Sequence, residues 1–183
     1  DQRDQIGVAT AFAKTIQRAL HLPRAGQHGG NRIGHGLAGI IMGVKNADSD
    51  LARVRELGFT TCQITVADYS ADHARQVKAG LKKHGLSPTS LICMGPGKYV
   101  WNFYDGPKTI GLVPREYRTE RIARLKEGTD FCCESGIPAV HAHFGFIPED
   151  PNDILYGEFI EVMKGVAGYA REREVTVLFE TGQ

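Results

Sequence analysis

The sequence predicts an α/β fold in which parallel strands alternate with covering helices, and three observations support this. Apolar segments typical of buried strands recur five times between residues 37 and 180. Between them lie segments whose apolar residues repeat at helical spacing. No glycine-rich GxGxxG motif or P-loop follows the first predicted strand, which disfavours a nucleotide-binding doubly wound sheet.

The predicted elements follow one another in a regular order. The first strand is a continuous apolar run (LAGIIMGVK), as expected for a strand covered on both faces. Asp48 or Ser49 is predicted to cap the first helix, and Gly58 to end it. The full order is strand 37–45, helix 49–57, strand 61–66, helix 71–84, strand 89–94, an irregular insertion 95–115, helix 116–135, strand 138–144, helix 153–172 and strand 175–180.

Such alternation implies parallel strands joined by right-handed crossovers, in either an open doubly wound sheet or a (β/α)8 TIM barrel. The missing glycine motif favours the barrel. Because a barrel typically needs about 250 residues, we predict an incomplete TIM barrel with about five βα units in residues 37–183. Residues 1–36 are predicted to form an N-terminal helix and a flexible linker; in the alternative interpretation, residues 3–13 are the remnant of a secretion signal.

Composition limits the partners of the chain. The net charge is +1, with basic and acidic residues interspersed, so neither nucleic acid nor a membrane surface is a predicted partner. The four cysteines show no CxxC spacing and fall in predicted strands or a helix, which indicates buried, reduced thiols. A cytoplasmic location is therefore predicted, with export as the alternative if residues 3–13 belong to a signal.

Three side chains that could carry chemistry converge at the ends of the last two predicted strands. Alternation puts His141 and His143 on one face of the fourth strand, and Glu180 ends the fifth. Barrel active sites form at the C-terminal ends of the strands. Two imidazoles and a carboxylate there suit a divalent metal or a proton-transfer site. The alternative is a hydrogen-bonded core histidine and a solvated acid.

Three segments resemble the sugar phosphate isomerase/epimerase family with a xylose-isomerase-like TIM barrel. They are DLARVRELGFTTCQIT (50–65), HAHFGFIPEDP (141–151) and LFETGQ (178–183). The resemblance covers residues 37–183 and rests on the order and spacing of these motifs. In that family four side chains at the ends of the last four strands hold a divalent ion, and Glu180 matches the first of them. His143 matches a position that lines the substrate or metal pocket.

The resemblance implies isomerisation or epimerisation of a sugar or sugar phosphate through an enediolate intermediate. It assigns Glu180 and His143 to the catalytic site, with Glu180 as the metal ligand. His143 is also predicted to bind substrate, together with His141, which alternation places on the same face. Carboxylate and imidazole groups suit Mn²⁺ or Mg²⁺, with Zn²⁺ and Co²⁺ as alternatives. The rest of the catalytic acid/base pair is expected outside this chain.

Two further residues are predicted to contact substrate. The insertion 95–115 follows the third strand at the active end and carries Trp101, which could stack on a sugar. Its alternative role is packing on the barrel rim. Gln63 points inward from the second strand, where it contacts ligand or fills the barrel interior.

Two alternative functions remain open. One is a metal-dependent hydrolase resembling AP endonucleases, although near-neutral charge disfavours duplex DNA. The other is a non-catalytic carbohydrate-binding relative. With one matched metal ligand of four, we expect the 183-residue chain alone to be inactive. Exposed edges of a five-strand sheet also predict a homo-oligomer formed through barrel edges or faces.

Overall fold

Five parallel strands form one sheet in the computed structural model, which describes residues 40–181. The predicted α/β fold is thereby confirmed. The N-terminal helix, linker or signal predicted in residues 1–36 lies outside the described residues. The elements are β1 (Ile40–Gly43), α1 (Ala47–Glu56), β2 (Thr61–Thr65), α2 (Ala71–His84), β3 (Ser87–Ile92), α3 (Gly106–Thr109), α4 (Arg118–Ser135), β4 (Ala139–Gly145), α5 (Ile154–Arg171) and β5 (Thr176–Thr181).

The strand order separates a barrel from a doubly wound sheet. The strands lie in the order β1-β2-β3-β4-β5, each pairing in parallel with the next along the chain. A doubly wound sheet instead reverses its strand order partway across. Sequential order with a helix after most strands is the arrangement of a TIM barrel, so the described residues form part of one.

The core lies between the sheet and its helices. Apolar residues that alternate along the strands pack there against the helices. In β4, Val140 and Phe144 are fully buried, and in β5 Phe179 meets the Phe144 ring edge-on at 5.7 Å between centroids. The opposite face of the sheet is more open, because Ile41 and Leu178 are 60% and 41% exposed.

Capping residues account for most helix boundaries, and one predicted cap is wrong. Asn46, rather than Asp48 or Ser49, caps α1, since its side chain accepts from the backbone N–H of Ser49. Asp50 completes the cap by accepting from the backbone N–H of Lys45 and of Asn46, each at 2.8 Å. Asp48 is directed outward and pairs with Lys83 and His84 instead.

The insertion 95–115 is irregular over most of its length, as predicted. It contains the one-turn helix α3, and its buried residues Ile110, Leu112 and Val113 belong to the core or to the layer beside it. The Leu112 N–H donates to the Phe144 carbonyl at 3.0 Å, which fixes the insertion to β4. Helix α4 begins at Arg118, two residues later than predicted.

The cysteine prediction holds for three of four residues. Cys62, Cys93 and Cys132 are buried free thiols, and burial raises the pKa of Cys93 to about 11. Cys133 is exposed, because it follows Cys132 on the outer side of α4. No helix within residues 40–181 is long and apolar enough to cross a membrane.

Candidate active site at the ends of β4 and β5

The register of β4 and β5 brings the predicted side chains together. Leu178 pairs with His141 and Glu180 pairs with His143. Residues paired in this way project to the same face of a parallel sheet. The Nε2 atom of His143 lies 3.2 Å from Oε2 of Glu180, and Nε2 of His141 lies 3.5 Å from the same oxygen. The Nε2 atoms of both imidazoles therefore face the same carboxylate oxygen of Glu180.

Burial differs across this cluster. The side chain of Glu180 is 54% exposed, whereas those of His141 and His143 are 21% and 13% exposed. The Nδ1 atom of each histidine is buried without a hydrogen-bond partner among the described residues. Because a buried N–H without an acceptor is costly, the tautomer that suits each ring is the one with its proton on Nε2. Both rings then present an N–H toward the carboxylate and the open side of the sheet.

An aromatic wall borders the cluster. The Trp101 ring meets the His143 ring edge-on, with 4.8 Å between centroids and 66° between planes. Tyr99 stacks on Trp101 at 5.9 Å and 14°. Trp101 remains 49% exposed. The insertion therefore places an indole next to His143 with much of its surface free.

Gln63 lies away from these residues. Its side-chain amide donates to the Ser90 hydroxyl at 3.2 Å. Gln63 pairs with Ser90, whereas His141 pairs with Ile92, two residues further toward the C-terminal end of β3. At about 3.3 Å per residue, Gln63 lies deeper in the sheet. Substrate contact by Gln63 stays a prediction, and its observed contact is the one expected of interior filling.

The residues of this cluster offer few ligands to a divalent metal ion. Glu180 supplies an exposed carboxylate at a strand end, which suits a hard cation. Within residues 40–181, no group of three or more His, Cys, Asp or Glu side chains is arranged to hold a metal ion. In the Nε2-protonated tautomer each histidine turns an N–H, rather than a lone pair, toward the site. The residues present thus fit a single ligand, Glu180, with the histidines beside it.

Sequence reasoning missed Arg121, a fully buried residue of α4 at 2% exposure. The neighbouring apolar residue, Ile122, is only partly buried. Arg121 lies four residues before the buried Leu125, so helical periodicity places it on the buried face of α4. Its charge argued against a core position.

The chain belongs to the family of xylose isomerase-like TIM barrels, whose model matches residues 51–182. This agrees with the strand order and with a cluster at the C-terminal ends of strands. No curated protein matches the chain significantly.

Solved structures share the fold. A xylose isomerase domain protein from Planctomyces limnophilus is 28% identical, with a TM-score of 0.72 over 79% of this chain and 54% of that one. A D-psicose 3-epimerase crystallised with D-fructose is 15% identical, with a TM-score of 0.54 over 76% and 50%. A protein from Thermus thermophilus, soaked with ZnCl2, is 16% identical, with a TM-score of 0.53 over 78% and 55%. The chain spans about half the length of these structures.

Proposed function

We propose that the cluster of Glu180, His141, His143 and Trp101 is part of the active site of a divalent-metal-dependent sugar or sugar-phosphate isomerase or epimerase. The observation that carries the proposal is the convergence of one exposed carboxylate, two imidazole donors and one indole at the C-terminal ends of neighbouring strands. The family includes isomerases and epimerases, and in a TIM barrel this end carries the chemistry.

The residues suit a reaction beside a carbonyl group. Removal of the proton next to a sugar carbonyl produces an enediolate, whose negative oxygen needs hydrogen-bond donors. The Nε2 atoms of His141 and His143 lie beside Glu180 on the open face of the sheet, which supports a role for them as such donors. In this proposal His143 orients and stabilises the reacting oxygens, and His141 supports the same end of the substrate.

Glu180 would hold the metal. A divalent ion bound there, Mn²⁺ or Mg²⁺ first and Zn²⁺ or Co²⁺ second, would supply Lewis-acid polarisation of the substrate carbonyl. The exposed carboxylate needs no rearrangement of the backbone to reach such an ion. Its two histidine neighbours limit the directions that the carboxylate can take.

Trp101 would form the apolar side of the pocket. Sugars present C–H groups on one face of the ring or chain, and an indole covers such a face while excluding water. The half-exposed Trp101 ring beside His143 offers this surface. Polar donors on one side and an aromatic wall on the other suit a small polyhydroxylated ligand.

The hydrolase alternative shares the barrel, so the fold does not separate it from the isomerase. Charge favours the isomerase, since a duplex DNA site needs an excess of basic residues and this chain has a net charge of +1. In the non-catalytic alternative, the protein would still bind a sugar, but binding would not depend on a metal ion.

A titration with D-fructose tests the proposal. Trp101 is the single tryptophan, so its fluorescence reports on this pocket alone. We expect D-fructose to change the emission only when Mn²⁺ or Mg²⁺ is present, and D-sorbitol, which lacks the carbonyl, to have little effect. Glu180→Gln should abolish the response. Since Glu180 is the one matched ligand, we expect binding by the 183-residue chain without turnover.

The control variant is Glu172→Gln, which removes the same charge from an exposed residue beyond the end of α5. It should respond to D-fructose like the unmodified chain. Equal responses to D-fructose and D-sorbitol with or without metal would contradict the metal-dependent proposal.

A further inference from the structure

Arg121 is a buried cation whose described partners are carbonyl oxygens and aromatic faces. It lies in the first turn of α4 and is 2% exposed. Its guanidinium donates to the carbonyl oxygens of Pro96 at 3.0 Å, Lys98 at 3.1 Å and Gly111 at 2.7 Å. A planar fork of five donors can satisfy several acceptors at once.

The three carbonyls lie at the two ends of the insertion 95–115. Pro96 and Lys98 follow β3, whereas Gly111 follows the one-turn helix α3, near the other end of the insertion. One side chain therefore holds the entry and the exit of the same segment. The insertion is fixed at its base by Arg121, although its length is that of a mobile lid.

Two glycines allow this close approach. A Cβ atom at Gly95 would overlap the side chain and backbone of Arg121. At Gly97, whose φ is +99°, it would lie 2.5 Å from ring atoms of Tyr117. The backbone after β3 thus passes directly over the start of α4, with no room for a larger residue.

From Arg121 a chain of ring contacts leads to the candidate active site. Its Cζ atom lies 4.3 Å from the centroid of Tyr99, a cation–π distance. The Tyr99 hydroxyl donates to the Gly95 carbonyl at 3.0 Å, which fixes the ring. Tyr99 stacks on Trp101, and Trp101 contacts His143.

We propose that Arg121 is the positioning residue that holds Trp101 against His143 and so sets the aromatic wall of the pocket. A residue such as methionine could fill the volume of Arg121 but would leave three carbonyls unpaired and Tyr99 without its cation. The assignment of the wall to sugar binding rests on the proposed function. The dependence of the wall on Arg121 does not.

The test compares Arg121→Lys and Arg121→Met with the same substitutions at Arg124. Arg124 lies one turn further along α4, stacks on Tyr69 at 4.7 Å and pairs with Glu127 at 3.3 Å. Two readouts follow Trp101 in the absence of sugar and metal. They are the nuclear Overhauser effect between the Trp101 and His143 rings and the quenching of Trp101 fluorescence by iodide.

We expect Arg121→Lys to keep the far-ultraviolet circular dichroism spectrum, lose the Overhauser effect and become more accessible to iodide. The Arg124 variants should keep both signals. If Arg121→Met does not fold, the Overhauser effect and iodide quenching of Arg121→Lys alone test the proposal. A folded Arg121→Lys with unchanged Overhauser effect and quenching would overturn the proposal, as would failure of both Arg121 variants to fold, since the residue would then serve the core. Failure of the D-fructose titration alone would count only against the proposed function.

Discussion

At the scale of single residues, Gly111 is the tightest point between the insertion and the sheet. Its φ is +78°, in the left-handed region, and a Cβ atom there would overlap the backbone of Phe144 and Gly145. We expect Gly111→Ala to destabilise the fold by about 3 kcal/mol, from overpacking and left-handed strain together. Urea unfolding measures the change.

Gly165 is the matched control. It lies in α5 with nothing within 4 Å of an added Cβ atom. Gly165→Ala should stabilise the fold by up to about 1 kcal/mol through helix propensity. Equal changes in unfolding free energy for the two substitutions would contradict the close packing of Gly111 against β4.

Some residue positions follow from the sequence and others do not. Alternation in β4 placed His141 and His143 on the open face, because the period of a strand is two whatever the surroundings. The contact between Trp101 and His143 could not be predicted, since it depends on how the insertion folds back onto a strand that comes much later in the chain. The depth of Gln63 depends on strand register, which no single segment encodes.

At the scale of elements, the insertion is tied to α5 by charge. Glu158 of α5 accepts from Arg115 at 2.6 Å and from Arg118 at 2.7 Å. Hydrogen bonds from these two arginines lower the pKa of Glu158 from its usual 4.5 to about 2. The side chain of Arg118 also donates to the Leu112 carbonyl at 2.7 Å. Arg118 therefore links Glu158 of α5 to the insertion.

This pairing predicts a pH dependence of stability. A carboxyl whose folded pKa is lowered contributes stability above its unfolded pKa and loses it as the pH falls through the folded value. The difference in unfolding free energy between the unmodified chain and Glu158→Gln should therefore be full above pH 4.5 and vanish toward about pH 2. Chemical unfolding across this range measures it.

Glu161→Gln provides the comparison on the same helix. Glu161 is 71% exposed and pairs only with Lys164 one turn away among the described ion pairs. Exposed ion pairs of this kind contribute little to stability. The unfolding free energy of Glu161→Gln should therefore match that of the unmodified chain at every pH. A Glu158→Gln difference that does not depend on pH would contradict the assignment of the arginine pair.

Element types and order were predictable, whereas the contacts of the insertion were not. Strands and helices follow local periodicity and caps, as α2 does from Ala71 to His84 with Gly85 in the left-handed conformation after it. The insertion has no such period. It is held instead by side chains distant in sequence, such as Arg121, which donates to the Lys98 carbonyl 23 residues earlier, and Glu158, which accepts from Arg115 43 residues earlier.

At the scale of the whole molecule, the described residues form one layered unit with the candidate site at one end of the sheet. The helices cover one face, and the face carrying Glu180 is open, with Ile41 and Leu178 exposed. Parallel pairing of β4 with β5 aligns their C-terminal ends, where a TIM barrel carries its active site, and this places the candidate site there. Self-association through the open face or the sheet edges stays a prediction.

The binding of Mn²⁺ tests the central claim, that Glu180 is a metal ligand at this site. Electron paramagnetic resonance of free Mn²⁺ gives the affinity of the unmodified chain, Glu180→Gln and Glu172→Gln under the same conditions. We predict that Glu180→Gln weakens binding by at least about tenfold, while Glu172→Gln leaves it unchanged. Equal affinities of all three proteins would contradict the claim that Glu180 holds the metal.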